Sequence, residues 1–313
     1  MQKDNINMCK ICEAPLGNAI KAKEMMLGTR DEFDYGQCTE CGTIQIINVP
    51  QSMENYYPYY YYSFKQVVPE LLRQPLIKRI FSNFRIKRKY KRSNTEILQY
   101  LKPLQILPSQ KILDVGCGKG KLICEMFNQG FENVQGIDKF ITEEYDYNYN
   151  VKVFKKDLAE LEHNSYDLLM MHHVFEHMDQ PYEELLKCYN LLKPGGYLVI
   201  RIPVVGEAWE IYGVNWIQLD APRHFYIYTE ESMKLLAKKT GFSIIDVVYD
   251  SSSFQFLGSE IYKRDIELVD NKTKEYRDVS ALFSDEESEN YEKMSHQLNR
   301  ERRGDQAIFY LKK

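Results

Sequence analysis

No apolar run in this sequence approaches the ~20 residues that a bilayer-spanning helix needs. The strongest, around Tyr166–Met171 and Tyr197–Val205, are far shorter. The opening MQKDNINMCK holds no apolar h-region, so no secretory signal is expected. An excess of positive charge is missing too. Lys and Arg number 41 against 45 Asp and Glu, a net charge of −4, which excludes a polycation built to coat nucleic acid. There is no compositional bias, no internal repeat and no long low-complexity tract. With 44% hydrophobic and 27% charged residues the chain is of ordinary globular type. Tryptophan is scarce, at 2, whereas tyrosine reaches 24. Seven cysteines, an odd number, without a secretory signal point to reduced thiols in the cytosol. At 313 residues the chain is about twice a typical single domain, so two units are expected.

Four cysteines fall in two pairs, Cys9-x-x-Cys12 and Cys38-x-x-Cys41, with 25 residues between the pairs. Each pair can form a turn that aims two thiolates at one tetrahedral centre, and Gly42 follows the second pair where a permissive backbone is needed. A redox dithiol is the competing reading, but neither pair adjoins a βαβ pattern. The spacing predicts a zinc ribbon over residues 1–50, closed by Cys9, Cys12, Cys38 and Cys41. Four sulfurs fill the coordination shell and leave no open position for catalysis. The chemistry must lie elsewhere.

Residues 51–95 read as a linker. Glu54–Ser63 holds six tyrosines, which suit either a stacking platform or filler between two domains; filler is favoured. Leu71–Thr95 contains no acidic residue and nine basic ones: Arg73, Lys78, Arg79, Arg85, Lys87, Arg88, Lys89, Lys91 and Arg92. Leu76, Ile77, Ile80, Phe81 and Phe84 recur among them at helical spacing, so a basic amphipathic helix is expected. Such a helix can lie on an anionic membrane surface, or dock its apolar stripe and leave a solvated basic face.

From Ser109 the pattern alternates strands and helices, which argues for an α/β fold with a parallel sheet covered on both faces. Lys111–Val115 is a strand that stops at Gly116-Cys-Gly-Lys-Gly120, and Lys121–Gln129 then reads as a helix. Glycines in this place let backbone N–H groups approach a ligand. Asp114 would repel a pyrophosphate but suits an ammonium group. Asp138, 24 residues on at the end of the second strand, is placed for two ribose hydroxyls. Asp157, after the third strand, can take an adenine amino group.

With these residues in place, the stretch from about Thr95 to Lys313 resembles a class I S-adenosylmethionine-dependent methyltransferase. The D-x-G-x-G-x-G motif is Asp114–Gly120, the G-I-D strand end is Gly136–Asp138, and the D-L…V-x-E-H block runs from Asp167 to His177. The L-K-P-G-G turn is Leu192–Gly196. The resemblance implies a Rossmann-like seven-stranded sheet whose last strand, DQAIFYLK, runs antiparallel. The domain would cover 96–313, with insertions at about 204–228 and 251–304. It implies S-adenosylmethionine held by Asp114, Gly116, Cys117, Gly118 and Gly120, ribose on Asp138, adenine near Asp157 and Leu158, and His172 lining the transfer face. Cys117 then sits in the loop as a small residue and not as a nucleophile.

An oxygen acceptor must lose a proton, and the catalytic candidates are His177, His224 and His173. His173-x-x-Glu176-His177 also places three side chains at i, i+3 and i+4, a spacing able to hold a divalent ion. The segment Asn215–Thr229, with Asp220-Ala-Pro-Arg-His224, resembles a block of methyltransferases from surface-polysaccharide pathways. There Asp220, Arg223 and His224 would cap the acceptor pocket, with Arg223 free to grip a phosphate or carboxylate. The resemblance implies a sugar or glycan acceptor, nucleotide- or lipid-linked, in a cytoplasmic enzyme that 71–95 could bring to a membrane surface. Two rivals remain: an RNA base methyltransferase gripping RNA through its ribbon, and a quinone-type small-molecule O-methyltransferase. Residues 1–49 carry five basic against seven acidic residues, a poor grip on phosphates.

Overall fold

In the computed structural model, which describes residues 8–65, 67–72, 82–92 and 95–313, the chain opens with three short strands. These are β1 (Ile20–Lys23), β2 (Glu32–Gln37) and β3 (Ile44–Ile46), paired antiparallel in that order. The basic helix is seen as α1 (Ser82–Arg92). Its buried residues, Ile86 and Tyr90, are four apart and so share one face, while Lys87, Arg88, Lys91 and Arg92 stay exposed. Phe84, the one described member of the expected apolar stripe, is 69% exposed, so the face that docks is that of Ile86 and Tyr90 instead, and the basic side chains beside it are solvated. The rest of the expected helix, with Arg73, Leu76, Ile77, Lys78, Arg79, Ile80 and Phe81, lies outside the described residues. Next comes α2 (Glu96–Leu101), which buries Ile97, Leu98, Tyr100 and Leu101.

The large sheet begins at β4 (Ile112–Val115), buried at every position. A short run of β-branched and apolar residues without alternation fits a strand covered on both faces. Then follow α3 (Lys121–Gln129), β5 (Val134–Ile137), β6 (Tyr145–Asp146), β7 (Lys152–Phe154), β8 (Tyr166–His172), α4 (Pro181–Leu191) and β9 (Leu192–Pro203). Proline opens α4 at its first turn, where no N–H partner is lost. The chain continues through α5 (Glu207–Tyr212), β10 (Tyr226–Ile227), α6 (Glu230–Thr240), β11 (Ser243–Tyr249), α7 (Phe254–Lys263), α8 (Asp285–Glu301) and β12 (Gln306–Lys312).

Strand order in this sheet is β11-β12-β9-β8-β4-β5-β7-β6. β4 pairs parallel with β5 on one side and β8 on the other, so the chain reverses its direction of travel across the sheet at β4. Ligands of open α/β sheets bind at the carboxyl ends beside such a point. β12 runs antiparallel to both β9 and β11. The sheet has eight strands, not seven. The extra one is β6, two residues folded back onto β7, too short to leave any period in the sequence.

The first three strands do not close on themselves. β10, from the insertion after β9, adds to β3 in the register Tyr226↔Gln45 and Ile227↔Ile44, making a four-stranded sheet β1-β2-β3-β10. Apolar packing follows the same division. One core on each face of the large sheet is joined by a third that unites Tyr35 and Ile44, Tyr61 of the tyrosine-rich segment, Trp209 and Trp216 of the insertion, and Phe256 and Leu298.

At the centre of this third region lies a charge cluster without solvent. Arg223 is completely buried; its Nε donates to Asp220 Oδ2 at 2.9 Å, and its Nη2 to Asp220 Oδ1 at 2.6 Å and to Glu24 Oε1 at 2.9 Å. Removing one partner of a buried pair leaves an uncompensated charge. Glu24→Ala is therefore expected to lower the unfolding free energy by about 3–5 kcal/mol, read from urea denaturation. Glu24→Gln, which keeps an oxygen for the guanidinium, should cost clearly less.

Candidate functional site

At the end of β4, Asp114 is 3% exposed. Burial first, and then the charge of Asp138, push its carboxyl up to about 8. The loop beyond takes left-handed backbone at Gly116 (φ +68°) and Gly120 (φ +84°). A Cβ on Gly116 would come within 2.6 Å of Val174, so the turn requires glycine twice over, for its φ and for space. The N–H of Gly118 donates to Asp138 Oδ2 at 3.0 Å, which clasps the loop to the end of β5. Cys117 is buried against Gly136, burial drives its thiol pKa up, and its N–H donates to the Ile137 carbonyl at 3.2 Å.

Asp157 caps a short turn that buries Leu158, accepting from the Ala159 N–H at 3.1 Å. His172 ends β8 with its ring 5.2 Å from that of Tyr100. Burial, then Arg201 and His173, hold its pKa down to about 3, so the ring is neutral. Its Nε2 is buried and has no hydrogen-bond partner in the protein. Carboxylates at two strand ends beside a glycine turn, with one orphaned nitrogen, fit a ligand that carries an ammonium group and hydroxyls. The residues present thus fit S-adenosylmethionine.

Glu176, His177 and His224 meet on the other side of β8's end, each offering a ligand atom within 4.8 Å of the others. His177 Nδ1 lies 2.7 Å from the Arg223 carbonyl and must carry the proton that it donates; the Tyr57 hydroxyl is 3.3 Å from the same nitrogen. His224 Nδ1 likewise donates to the Gln218 carbonyl at 2.7 Å. Both rings are thereby fixed in one tautomer, with a bare lone pair on Nε2. Burial holds His224 down to about 4 against the opposing pull of Asp220. Glu176 is fully buried. Burial alone would raise its carboxyl, but His173 and the neighbouring rings outweigh it and hold it down to about 2. Neither carboxylate oxygen has a well-formed hydrogen bond; the nearest group is His173 Nδ1, 3.3 Å from Oε1. A buried carboxylate with two imidazole nitrogens facing it is a donor set that could hold a divalent cation.

His173 stands apart from that trio. Its Nε2 accepts from Arg201 Nη1 at 2.8 Å, and Arg201 Nε in turn donates to Asp250 Oδ2 at 2.6 Å. With Nε2 occupied and Nδ1 turned to Glu176, it has no lone pair left for an acceptor and orients Glu176 instead. Arg223 is likewise spent: four of its five N–H groups go to Asp220, Glu24 and the Tyr56 carbonyl, and the side chain is completely buried, so it cannot reach an acceptor phosphate. Sequence reasoning missed Glu24, Tyr35, Tyr57 and Arg201. Only Arg201 left a signal, a charge inside the otherwise apolar run of β9.

In the N-terminal unit the four paired cysteines converge. Cys9 and Cys41 sulfurs are 3.6 Å apart, and those of Cys12 and Cys38 3.3 Å. A tetrahedron with ~2.3 Å zinc–sulfur bonds has sulfur–sulfur edges of about 3.8 Å, so the cluster could hold such an ion.

Residues 85–247, just over half of the chain, match the methyltransferase domain family. The chain belongs to that family, and its large sheet is a class I S-adenosylmethionine-dependent methyltransferase domain. Among curated relatives, a ubiquinone biosynthesis O-methyltransferase of Maricaulis maris is 24% identical over 172 residues, 47% of this chain and 65% of the relative. A tRNA U34 carboxymethyltransferase of Cellvibrio japonicus is 33% identical over 126 residues, 36% of this chain and 39% of the relative. The chain thus spans less than two thirds of the length of each. A solved S-adenosylmethionine-dependent methyltransferase of Archaeoglobus fulgidus aligns with a TM-score of 0.42 and 21% identity, covering 76% of this chain and 98% of that one.

The raised pKa of Asp114 makes stability depend on pH. Its folded pKa, about 8, lies above the unfolded value, so its contribution to stability is full below about pH 4 and is lost as pH rises towards 8. Asp114→Asn is expected to remove that slope from urea melts between pH 5 and 8. An ammonium docking on the carboxylate should release a proton, which calorimetry in buffers of different ionisation enthalpy measures for S-adenosylmethionine at pH 7.

Proposed function

We propose that this chain transfers a methyl group from S-adenosylmethionine to a hydroxyl of a sugar or glycan, with a structural zinc ion on Cys9, Cys12, Cys38 and Cys41. The observation that carries the oxygen acceptor is the pair of rings, His177 and His224, whose Nδ1–H groups are tied to backbone carbonyls and whose Nε2 lone pairs are bare. Methyl transfer to a hydroxyl requires a proton acceptor beside it, while the displacement on the sulfonium itself depends on alignment. His177, half-buried, is the proton acceptor in this reading. His224, held down to about 4 by burial, has too little affinity for a proton to share the task.

In the same reading Asp114 takes the ammonium of the methionine part, Asp138 the ribose, and Asp157 and Leu158 the adenine. The loop from Gly116 to Gly120 lets the ligand approach the backbone closely, and His172 faces the transfer. The sugar class is supported by the likeness of residues 215–229 to polysaccharide-pathway enzymes. It is also supported by the inward use of the N-terminal unit, whose edge β3 is covered by β10 and is not free to grip RNA. Lys87, Arg88, Lys91 and Arg92 on α1 give a lipid-linked or nucleotide-linked acceptor a basic face to approach. No helix among the described residues is long and apolar enough to cross a membrane.

The test is methyl-label transfer from labelled S-adenosylmethionine into extracts of the protein's own host, split into RNA, protein, lipid-linked and small soluble pools. Label should enter a glycan pool and fall at least a hundredfold with Asp114→Ala, since loss of a buried charge-assisted contact costs about 3 kcal/mol or more. Label in RNA would replace this reading with the RNA one.

A second reading rests on Glu176, whose buried carboxylate lacks a well-formed partner. A divalent cation on Glu176, His177 and His224 would supply Lewis-acid activation of the acceptor oxygen in place of the base. Electron paramagnetic resonance with added manganese, on protein whose cysteine site is filled with zinc, decides this: binding of one ion, abolished by Glu176→Gln, supports the cation, and no bound signal rejects it.

A further inference from the structure

The backbone that carries His224 is held from the N-terminal unit. Tyr35, on β2 and fully buried, donates its hydroxyl to the His224 carbonyl at 2.9 Å. Glu24, just after β1, receives the N–H groups of Leu27 at 2.8 Å and Thr29 at 3.0 Å, and grips Arg223 at 2.9 Å. The Arg223 carbonyl in turn fixes the ring of His177. The support continues on either side: the Ile46 N–H donates to the Phe225 carbonyl at 2.9 Å, and the Thr229 hydroxyl to the carbonyl of Cys41 at 2.6 Å. Cys41 is one of the four clustered cysteines, so one of these ties begins at the cluster itself.

The cofactor side is built differently. Among the described residues, no hydrogen bond or ion pair joins Asp114, the Gly116–Gly120 loop, Asp138 or His172 to residues 8–50. We propose that Tyr35 and Glu24 are positioning residues for methyl transfer, through which the four-cysteine unit sets His224 and His177 while the large sheet alone shapes the cofactor pocket. The proposal rests on the acceptor reading above only in giving those two histidines a part in the reaction.

The test uses the full chain and separates the two halves of the site. Tyr35→Phe removes one hydroxyl and keeps the ring. Label transfer into the acceptor pool should slow about fivefold to tenfold, the worth of one buried hydrogen bond, while the Kd for S-adenosylhomocysteine stays within about twofold. Histidine-selective NMR has only six rings to resolve; those of His224 and His177 should shift, and that of His172 should not. Cys12→Ser, with the loss of metal confirmed by elemental analysis, should repeat this pattern more strongly. The proposal is overturned if S-adenosylhomocysteine binding and transfer fall together, or if His224 and His177 are unmoved in both variants. Should no pool accept label, the acceptor reading fails by itself, and the NMR and binding results still decide whether the N-terminal unit sets the two histidines. If Tyr35→Phe does not fold, Glu24→Gln takes its place.

Discussion

A guanidinium with no access to water has to be neutralised where it stands, and the architecture around Arg223 follows from that. Asp220 lies three residues away and supplies one carboxylate through a tight turn; Glu24 supplies the other from the opposite end of the chain. Holding both forces the segment after β9 against the turn after β1, and the strand pairing of β3 with β10 completes the same approach. Buried ion pairs are seldom efficient stabilisers, since desolvation cancels much of their attraction. Their use is geometric. Here the geometry fixed is the Arg223 carbonyl, which sets the ring of His177.

In the proposed reading the site has a cofactor half and an acceptor half, and the two obey different physics. The cofactor half is a strand end and a glycine turn, held by the ladder of a sheet and one clasp from Gly118 to Asp138. It strains for a ligand, with Asp114 driven towards neutrality by burial and His172 left without a partner. The acceptor half is a set of long-range polar ties around a carboxylate that stays charged, with both rings locked by backbone carbonyls. One half is completed by what binds; the other is already rigid before anything does.

What could be read from the sequence follows the same line. That Asp114, the glycines and Asp138 come together was legible because the geometry is local: a strand, a turn that tolerates no side chain, a carboxylate at each strand end. The cysteine pairs were legible from spacing. His177 and His224 could be named but not given roles, because their tautomers depend on carbonyls 46 and 6 residues distant. His173 looked equivalent to His177 until Arg201, drawn in by Asp250 from 49 residues along the chain, claimed its free nitrogen. Arg223 looked like an open clamp because nothing near it in sequence betrays Glu24, 199 residues earlier. The tyrosine-rich segment does serve as packing, with Tyr61 in the third core, yet Tyr57 reaches the ring of His177.

The pairing of β3 with β10 also orders events in time. Gln45 and Tyr226 are neighbours in one sheet, though most of the large sheet's parallel strands are made between them. During synthesis the N-terminal strands emerge first, with the edge of β3 bare, Tyr35 without the His224 carbonyl and Glu24 without Arg223. They stay in that state until the chain has been extended past Ile227, a long interval at ordinary rates of elongation. Bare edges of this kind invite pairing with other chains. Four thiolates gathered by an ion would hold the early segment compact through that wait, well before any methyl group is moved.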